Sequence, residues 1–529
     1  MWKGYNRENY LQELDREFDV IVIGGGITGA GVLREASGMG LKTCLLEKRD
    51  FAWGTSSWSS KMVHGGLRYL KQGDIKLTLE SVWERKRLLK EAPELIRPLD
   101  FLIPVYQEHA SQRYLMQTGL FLYDLLALQW KHKTCSASNL LHKIPNLESR
   151  GLLQGISFQD ALTDDSRLVM ALLGQALGDG AIPLNYCSVE DVIHEKDRIA
   201  GVMALDRANN RYLDIRGRVI INATGVWADQ VCQKAGGNIP LRPLRGSHFV
   251  VSSESLQVPC AVTFFHPEDK RPIFAFPWNG VTVVGTTDLD HAHDLNSPPG
   301  MSRREFEYLQ EGIKQIFPKA EISEKNIIST FSGIRPVVKT NMRNPSKEPR
   351  KHVIQDYQGM VTVTGGKLTT FRLIARDALK TAQKYLGGLP GLKENPAVFK
   401  IPEFQVPPDT KLSGRDFDRL LGRYCTDTPS FLDQANPEEL EFIENTNTLW
   451  AEIRWCLRNE AVNHLEDLLL RRTRLGLLLP RGGSSVLDPV LDICRQELGW
   501  DPEMTEREKE AYLKLWEDFY SPDFENRQA

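Results

Sequence analysis

The sequence predicts an α/β fold in which a Rossmann-like domain is interleaved with an antiparallel β-sheet cap domain and followed by an all-α C-terminal domain. Three observations predict it. Apolar runs ending in glycine recur at DVIVIGGG (19–26), RVIINATG (218–225) and GMVTVTGGK (359–367), as buried parallel strands do at a ligand face. Between them, β-rich runs such as LQVPCAV and RPIFAFPWNGVTVVGTTD (271–288) are broken by Pro-Trp and Asn-Gly turn signals, which fits an antiparallel sheet. From 411 onward apolar residues recur every three and four positions, most clearly in NTLWAEIRWCLRNEAVNHLEDLLLRRTRLGLLL (447–479).

Taken in chain order, residues 1–18 are polar and acidic, a helical lead-in rather than an apolar signal segment. Residues 19–386 hold the three glycine-ended strands and the inserted sheet, so the two domains share one continuous stretch. The segment 387–410 carries five prolines, which bars regular helix and marks a linker. Residues 411–529 form the helical domain, closing on EREKEAYLKLWEDFY.

Composition narrows the function. With 41% hydrophobic and 26% charged residues the chain is globular, and a formal charge of -3 excludes bulk attraction to nucleic acid. The eight cysteines include no C-x-x-C pair, so metal ligation has no spacing to rest on and reduced thiols in a cytoplasmic setting are expected. No run of 18 uncharged apolar residues exists to span a bilayer.

In IVIGGGITGAG the G-x-G-x-x-G spacing falls on Gly24, Gly26 and Gly29, between a strand and a helix. Such glycines allow the tight turn, let backbone approach a pyrophosphate and pack helix on strand, with Ile27 and Thr28 between them. A second strand, LKTCLLE, ends about 20 residues on in Glu47, a carboxylate suited to a ribose hydroxyl. NAD and FAD both fit. The polar loop GTSSWSSKMVHGGLRYL (54–70) and two further glycine-ended strands suit a large, resident, wrapped cofactor, which favours FAD.

The order G-G-G-I-T-G-A-G, T-S-S-x-S-S-K-x-x-H-G-G-L-R-Y-L, N-A-T-G, R-G-S-H, G-T-T-D, S-G-I-R-P and T-G-G-K-L-T-T-F-R resembles the FAD-dependent, quinone-linked sn-glycerol-3-phosphate dehydrogenase family. The resemblance implies non-covalent FAD held by Gly24, Gly26, Ile27, Thr28, Gly29 and Glu47, and by Thr55, Ser56, Ser59, Ser60, Lys61, His64, Gly65, Gly66 and Leu67. It adds Val189, Ala223, Thr224, Gly225, Gly366, Lys367, Leu368 and Thr369. It implies sn-glycerol 3-phosphate as substrate, met by Arg68, Tyr69, His248, Thr287, Arg335 and Lys367, with catalysis expected from His248, Arg68 and Lys367. Cations at 68, 335 and 367 suit a phosphate monoester, and the His248 imidazole suits a base taking the hydroxyl proton. Trp58 is expected to pack rather than to stack on adenine.

For the electron acceptor the resemblance implies a membrane quinone, ubiquinone or menaquinone, reached by peripheral contact at the cytoplasmic face of the cell membrane. A homodimer is possible. Two stretches are read as candidate contacts: RYLMQTGLFLYDLLALQWKHK (113–133), apolar with basic ends, and Arg471, Arg472 and Arg474 beside Leu475, Leu477, Leu478 and Leu479. A soluble FAD-dependent amine or amino-acid oxidase, and a flavin-containing binding module without this activity, are the alternatives.

Overall fold

The computed structural model describes residues 2–66, 73–109, 112–127, 132–339, 351–400 and 412–525. The glycine-ended strands Phe18–Ile23, Arg211–Asn222 and Met360–Thr364 lie side by side and parallel, inside a sheet that continues through Thr43–Leu46 to Ile182–Leu184. Ile23 stands opposite Asn222, and Asn222 opposite Thr362. This register brings the turns at 24–26, 223–225 and 365–366 out at one edge, which is where open α/β sheets bind ligands. Helices Ile27–Gly38, Asp165–Gly178 and Phe371–Leu386 bury one face of the sheet, and the Cys187–Glu195 and Arg198–Asp206 ribbon helps cover the other.

Three separated stretches build the second sheet: 62–163, 241–290 and 327–338. Its pairs are antiparallel apart from Ala261–Phe265 on Ile96–Tyr106. Two strands define the cap's working face. In Leu241–Ser252 and Ile327–Val338, His248 pairs with Phe331, Gly246 with Gly333 and Leu244 with Arg335. Paired residues point the same way and repeat every second position, so His248 and Arg335 share a face with two glycines between them.

The lead-in is a short helix, Arg7–Gln12, with one 3₁₀ turn after it. The described part of the proline-rich segment holds one 3₁₀ turn, Pro390–Lys393, and no α-helix or strand, yet it is no free tether. Val398 and Phe399 are buried, and Arg34 donates its Nε–H to the Val398 carbonyl at 2.8 Å.

The C-terminal domain is helical, with helices at Gly414–Tyr424, Trp450–Asn459, Leu487–Leu498 and Pro502–Phe519 among others. The 447–479 pattern does not run as one helix. It breaks after Asn459, and Arg474 takes a left-handed conformation at φ 67°. The reading of Arg471, Arg472 and Arg474 as a basic membrane edge is corrected here: all three are at most 2% exposed, as buried as the leucines beside them. Arg471 and Arg472 close on Asp50 at 2.5 and 2.7 Å, and Arg474 on Asp165 and Asp164 at 2.5 and 2.8 Å. A guanidinium in a core demands a carboxylate, and hydrophobic periodicity shows neither the partner nor whether the opposite face is wet.

Candidate active site

The first glycine loop fits a dinucleotide. Gly24 sits at φ 105°, and a Cβ there would lie 2.8 Å from the Ala223 carbonyl oxygen. One at Gly29 would lie 1.8 Å from the Gly24 carbonyl. No side chain caps Gly26 at the start of the Ile27–Gly38 helix, so first-turn N–H groups face the loop mouth. That of Ile27 donates to Ser56 Oγ at 2.8 Å. Glu47 accepts from the Gly25 and Arg49 N–H groups at 2.6 and 2.9 Å, with burial pushing its carboxyl pKa up against those bonds. Each oxygen keeps a lone pair for a ribose hydroxyl. Val189 lies two residues beyond Cys187, whose N–H donates to the Glu47 carbonyl. Thr224 turns its hydroxyl to Asn222, and the Gly225 carbonyl accepts from Thr364. These residues fit FAD at its adenosine diphosphate end.

The polar loop is only partly what its composition suggests. Lys61 is corrected: it is fully buried, its Nζ donating to both Asp165 oxygens at 2.9 and 3.0 Å and to the Ser57 carbonyl at 2.5 Å. Burial lowers its pKa to about 8, so it stays charged at neutral pH, but on the carboxylate and not on a pyrophosphate. Ser59 gives its hydroxyl and its N–H to Asp165, and Thr55 gives its hydroxyl to the Ile334 carbonyl, so neither side chain is aimed at a cofactor. Trp58 packs, as expected, with its indole N–H on the Tyr520 hydroxyl at 2.9 Å.

Two contacts tie this loop to the rest of the site. Ser60 Oγ lies 2.8 Å from His248 Nε2. His64 exchanges two 3.1 Å hydrogen bonds with the Thr369 hydroxyl, one through each backbone group. The loop therefore spans from the cap's histidine to the Gly365–Gly366 turn, where both glycines have positive φ and the Leu368–Thr370 turn begins a helix. Leu368 packs into the core below, leaving its backbone to the site. Lys367 donates to Ser81 Oγ at 2.9 Å. Gly65 is set by a network absent from the sequence reading: its N–H donates to Asp160, which also takes the Tyr123 hydroxyl and the Arg85 guanidinium. A Cβ at 65 would lie 2.1 Å from the Tyr123 oxygen. Gly66 follows at φ 81°, while Leu67, Arg68 and Tyr69 lie outside the described residues.

On the cap side, His248 is 1% exposed and stacks on Phe331 with centroids 4.6 Å apart, and its Nδ1 has no hydrogen-bond partner. A Cβ at Gly285 would meet its ring at 2.1 Å. Burial, then the charges of Arg335 and Lys61, hold the imidazole pKa well below 6.5. Arg335 lies over Gly246, where a Cβ would be 2.5 Å from its Nη2, and is oriented by Asp288 at 2.7 Å and by Thr286. Asp288 also takes Arg271 at 2.9 Å. Thr287 is corrected as a side-chain contact: its hydroxyl donates to Glu305 and accepts from the Ser247 N–H, both inside the cap.

Sequence reasoning missed Asp160 and Asp165, the acids that fix the loop. The one available signal was the DD pair at 164–165 ahead of an apolar helix, which reads as a plain N-cap.

Residues 19–377 match the FAD dependent oxidoreductase family, and residues 374–505 match the C-terminal domain of alpha-glycerophosphate oxidase. The aerobic glycerol-3-phosphate dehydrogenase of Staphylococcus saprophyticus is 32% identical over 96% of this chain and 95% of its own. The glycerol-3-phosphate dehydrogenase of Mycobacterium leprae is 33% identical over 94% of this chain and 87% of its own. Among solved structures, the glycerol-3-phosphate dehydrogenase of Bacillus halodurans complexed with FAD superposes with a TM-score of 0.76 at 25% identity, covering 99% of both chains. With the glycine cradle, the loop and the histidine in place, the chain belongs to the FAD dependent oxidoreductases, in the glycerol-3-phosphate dehydrogenase family.

Proposed function

We propose that this chain oxidises sn-glycerol 3-phosphate at C2 to dihydroxyacetone phosphate and passes the electrons to a membrane quinone. The observation that carries the reading is the face shared by His248 and Arg335, met from the other side by a loop bonded to both Ser60–His248 and His64–Thr369. Bound FAD would supply the hydride acceptor. Gly24, Gly26, Ile27, Thr28, Gly29, Glu47 and Ser56 would hold its nucleotide end, with Ala223, Thr224, Gly225 and Val189 beside them, and His64, Gly65, Gly66, Gly366, Lys367, Leu368 and Thr369 would hold its flavin end. The neutral His248 imidazole takes the C2 hydroxyl proton through Ser60, whose hydroxyl occupies Nε2: Ser60 passes its own proton to Nε2 as it receives the one from the substrate. Arg335, with Lys367 and Arg68, binds the phosphate, a fork being suited to two of its oxygens.

Two measurements test this. An anaerobic spectrum is expected to bleach on adding sn-glycerol 3-phosphate and to persist with glycerol or amino acids; bleaching by an amino acid would favour the amine oxidase instead. Arg335→Ala is expected to raise KM for the phosphorylated substrate about 10–100-fold with a smaller change in kcat, the loss of one charge-assisted contact. A fall in kcat at unchanged KM would take Arg335 off the phosphate.

The membrane reading rests on a different surface from the one corrected above. Among the described residues no helix is long and apolar enough to cross a membrane. Ile75, Leu79 and Trp83, four apart on the Ile75–Glu91 helix, are 38–54% exposed. Phe121, Leu122 and Leu125 are similarly exposed on Gln112–Ala127. The two helices are joined at the Arg85–Tyr123 hydrogen bond, and exposed Lys76, Lys86 and Lys90 lie along the first. An apolar stripe beside lysines suits the interface of an anionic bilayer. The double substitution Trp83→Glu and Phe121→Glu is expected to remove co-sedimentation with anionic vesicles while flavin reduction by substrate is retained; unchanged sedimentation would end the proposal for this surface.

A further inference from the structure

A cavity of about 50 Å³ lies where all three parts of the chain meet, and cations dominate its lining. The first sheet's helix contributes Arg167, the cap strand contributes Arg97, and the C-terminal helix Gly414–Tyr424 contributes Arg419 and Arg423. Asn279, Asn447 and Thr448 add neutral polar groups. Four arginines face two acids in the lining, Glu94 and Asp164. Arg419 and Arg423 share the single carboxylate of Glu452, at 2.7 and 2.9 Å, and Arg167 takes Glu460. Asp164, also in the lining, is held by Arg474. The Arg97 side chain has no ion pair or hydrogen bond among the described residues; Glu94, which also lines the cavity, and Asp164 are the acids near it, and Arg415 and Arg419 add their positive fields. The Nε groups of Arg167 and Arg419 are buried without a hydrogen-bond partner, and the Arg167 side chain is only 3% exposed.

Buried guanidinium N–H groups without acceptors, beside a cation with no ion pair, are costly unless an anion completes them. We propose that this cavity binds a small tetrahedral oxodianion of the inorganic phosphate class, separate from the substrate's site, and that the ion locks the C-terminal domain onto the other two. A volume of about 50 Å³ has room for a small free ion. Converging planar forks on oxygens match arginine's donor geometry. The bound ion stabilises the folded three-domain arrangement by mass action, without touching the reacting atoms.

The test uses the flavin-loaded full chain and sodium phosphate, compared with sodium chloride at equal ionic strength. Thermal melting is read for the wild type, for Arg335→Ala, which weakens phosphate capture at the substrate site, and for Arg335→Ala carrying Arg97→Met or Arg97→Lys. At tenfold saturation the Arg335→Ala protein is expected to melt about 1 °C higher in phosphate. That increment is expected to vanish with Arg97→Met and to return in part with Arg97→Lys. An increment that survives Arg97→Met, or none at all in the Arg335→Ala protein, would overturn the proposal. Because Arg97 touches neither flavin nor substrate, Arg97→Met leaves turnover in chloride unchanged.

Discussion

Replacing His248 with Asn is expected to lower kcat about 10²–10³-fold with FAD still bound, in the range that removal of a positioned base costs. The substitution is chosen for what it keeps. Asn retains a polar group toward Ser60 Oγ and fits between Phe331 and Gly285, so the 59–66 loop holds its place. What it removes is the lone pair that receives the hydroxyl proton. Because the loss falls on the chemical step, it appears in the anaerobic rate of flavin bleaching, with KM little changed. Full turnover in the variant would end the assignment of His248 as base. The pH dependence carries a second, independent sign. The neutral imidazole is the active form, and burial with the Arg335 and Lys61 charges holds its pKa well below 6.5. Activity is therefore present above the ordinary histidine range and lost only as pH falls through the depressed value, so the acid limb of kcat/KM lies below pH 6.5. The same shift acts on stability: the unfolded histidine binds a proton near 6.5 while the folded one does not, so this contribution decreases as pH falls below 6.5. An acid limb at or above 6.5 that is abolished in the variant would contradict the geometry.

The parts legible in the sequence were those set by local constraint. Gly24, Gly225 and Gly366 could be read because backbone with positive φ or close approach leaves few other choices, and their strands because burial on both faces makes continuous apolar runs. That those strands would be neighbours also followed, since glycine-ended strands serving one ligand must share an edge. His248 and Arg335 could be named but not related: their common face depends on register between strands nearly 90 residues apart in sequence. The errors have one physical origin. Lys61 is expected on the cofactor and Arg471, Arg472 and Arg474 on a membrane edge, because a charged side chain in a sequence shows no partner. Here each has a partner acid more than 90 residues away, Asp165, Asp50 or Asp164, with Glu466 and Asp467 adding to Arg471 locally, and pairing converts a surface residue type into core. The apolar stripe on Ile75–Glu91 escaped notice for the opposite reason. Ile75, Leu79 and Trp83 have the spacing of a buried face, and only the packed structure shows that the face is bare.

Asp165→Ala is expected to destabilise the protein by about 3–5 kcal/mol, the cost of leaving buried charge unpaired, and to slow turnover as well. Asp165 is fully buried and ties two other segments to its own helix. Its oxygens take Lys61 Nζ at 2.9 Å, Arg474 Nη2 at 2.5 Å from the C-terminal domain, and the Ser59 hydroxyl and N–H at 2.7 and 2.9 Å. Deleting the carboxylate strands two cations in the core with Asp164 as the remaining acid near them, and no water can reach Lys61 to replace it. The catalytic effect follows from the next residue along. Ser60, the partner of His248, stands between Ser59 and Lys61, and both are fixed by Asp165, so freeing them frees the hydroxyl that orients the imidazole. The two losses separate experimentally. Replacing both Lys61 and Arg474 by Met in the Asp165→Ala background removes the stranded charges and is expected to recover much of the melting temperature, as apolar replacement of a buried ion cluster does. It restores nothing that holds Ser59 and Ser60, so kcat is expected to stay low in the recovered protein. Recovery of kcat together with stability would show that the buried cluster holds the fold alone and that His248 needs no help from the C-terminal domain to keep its position.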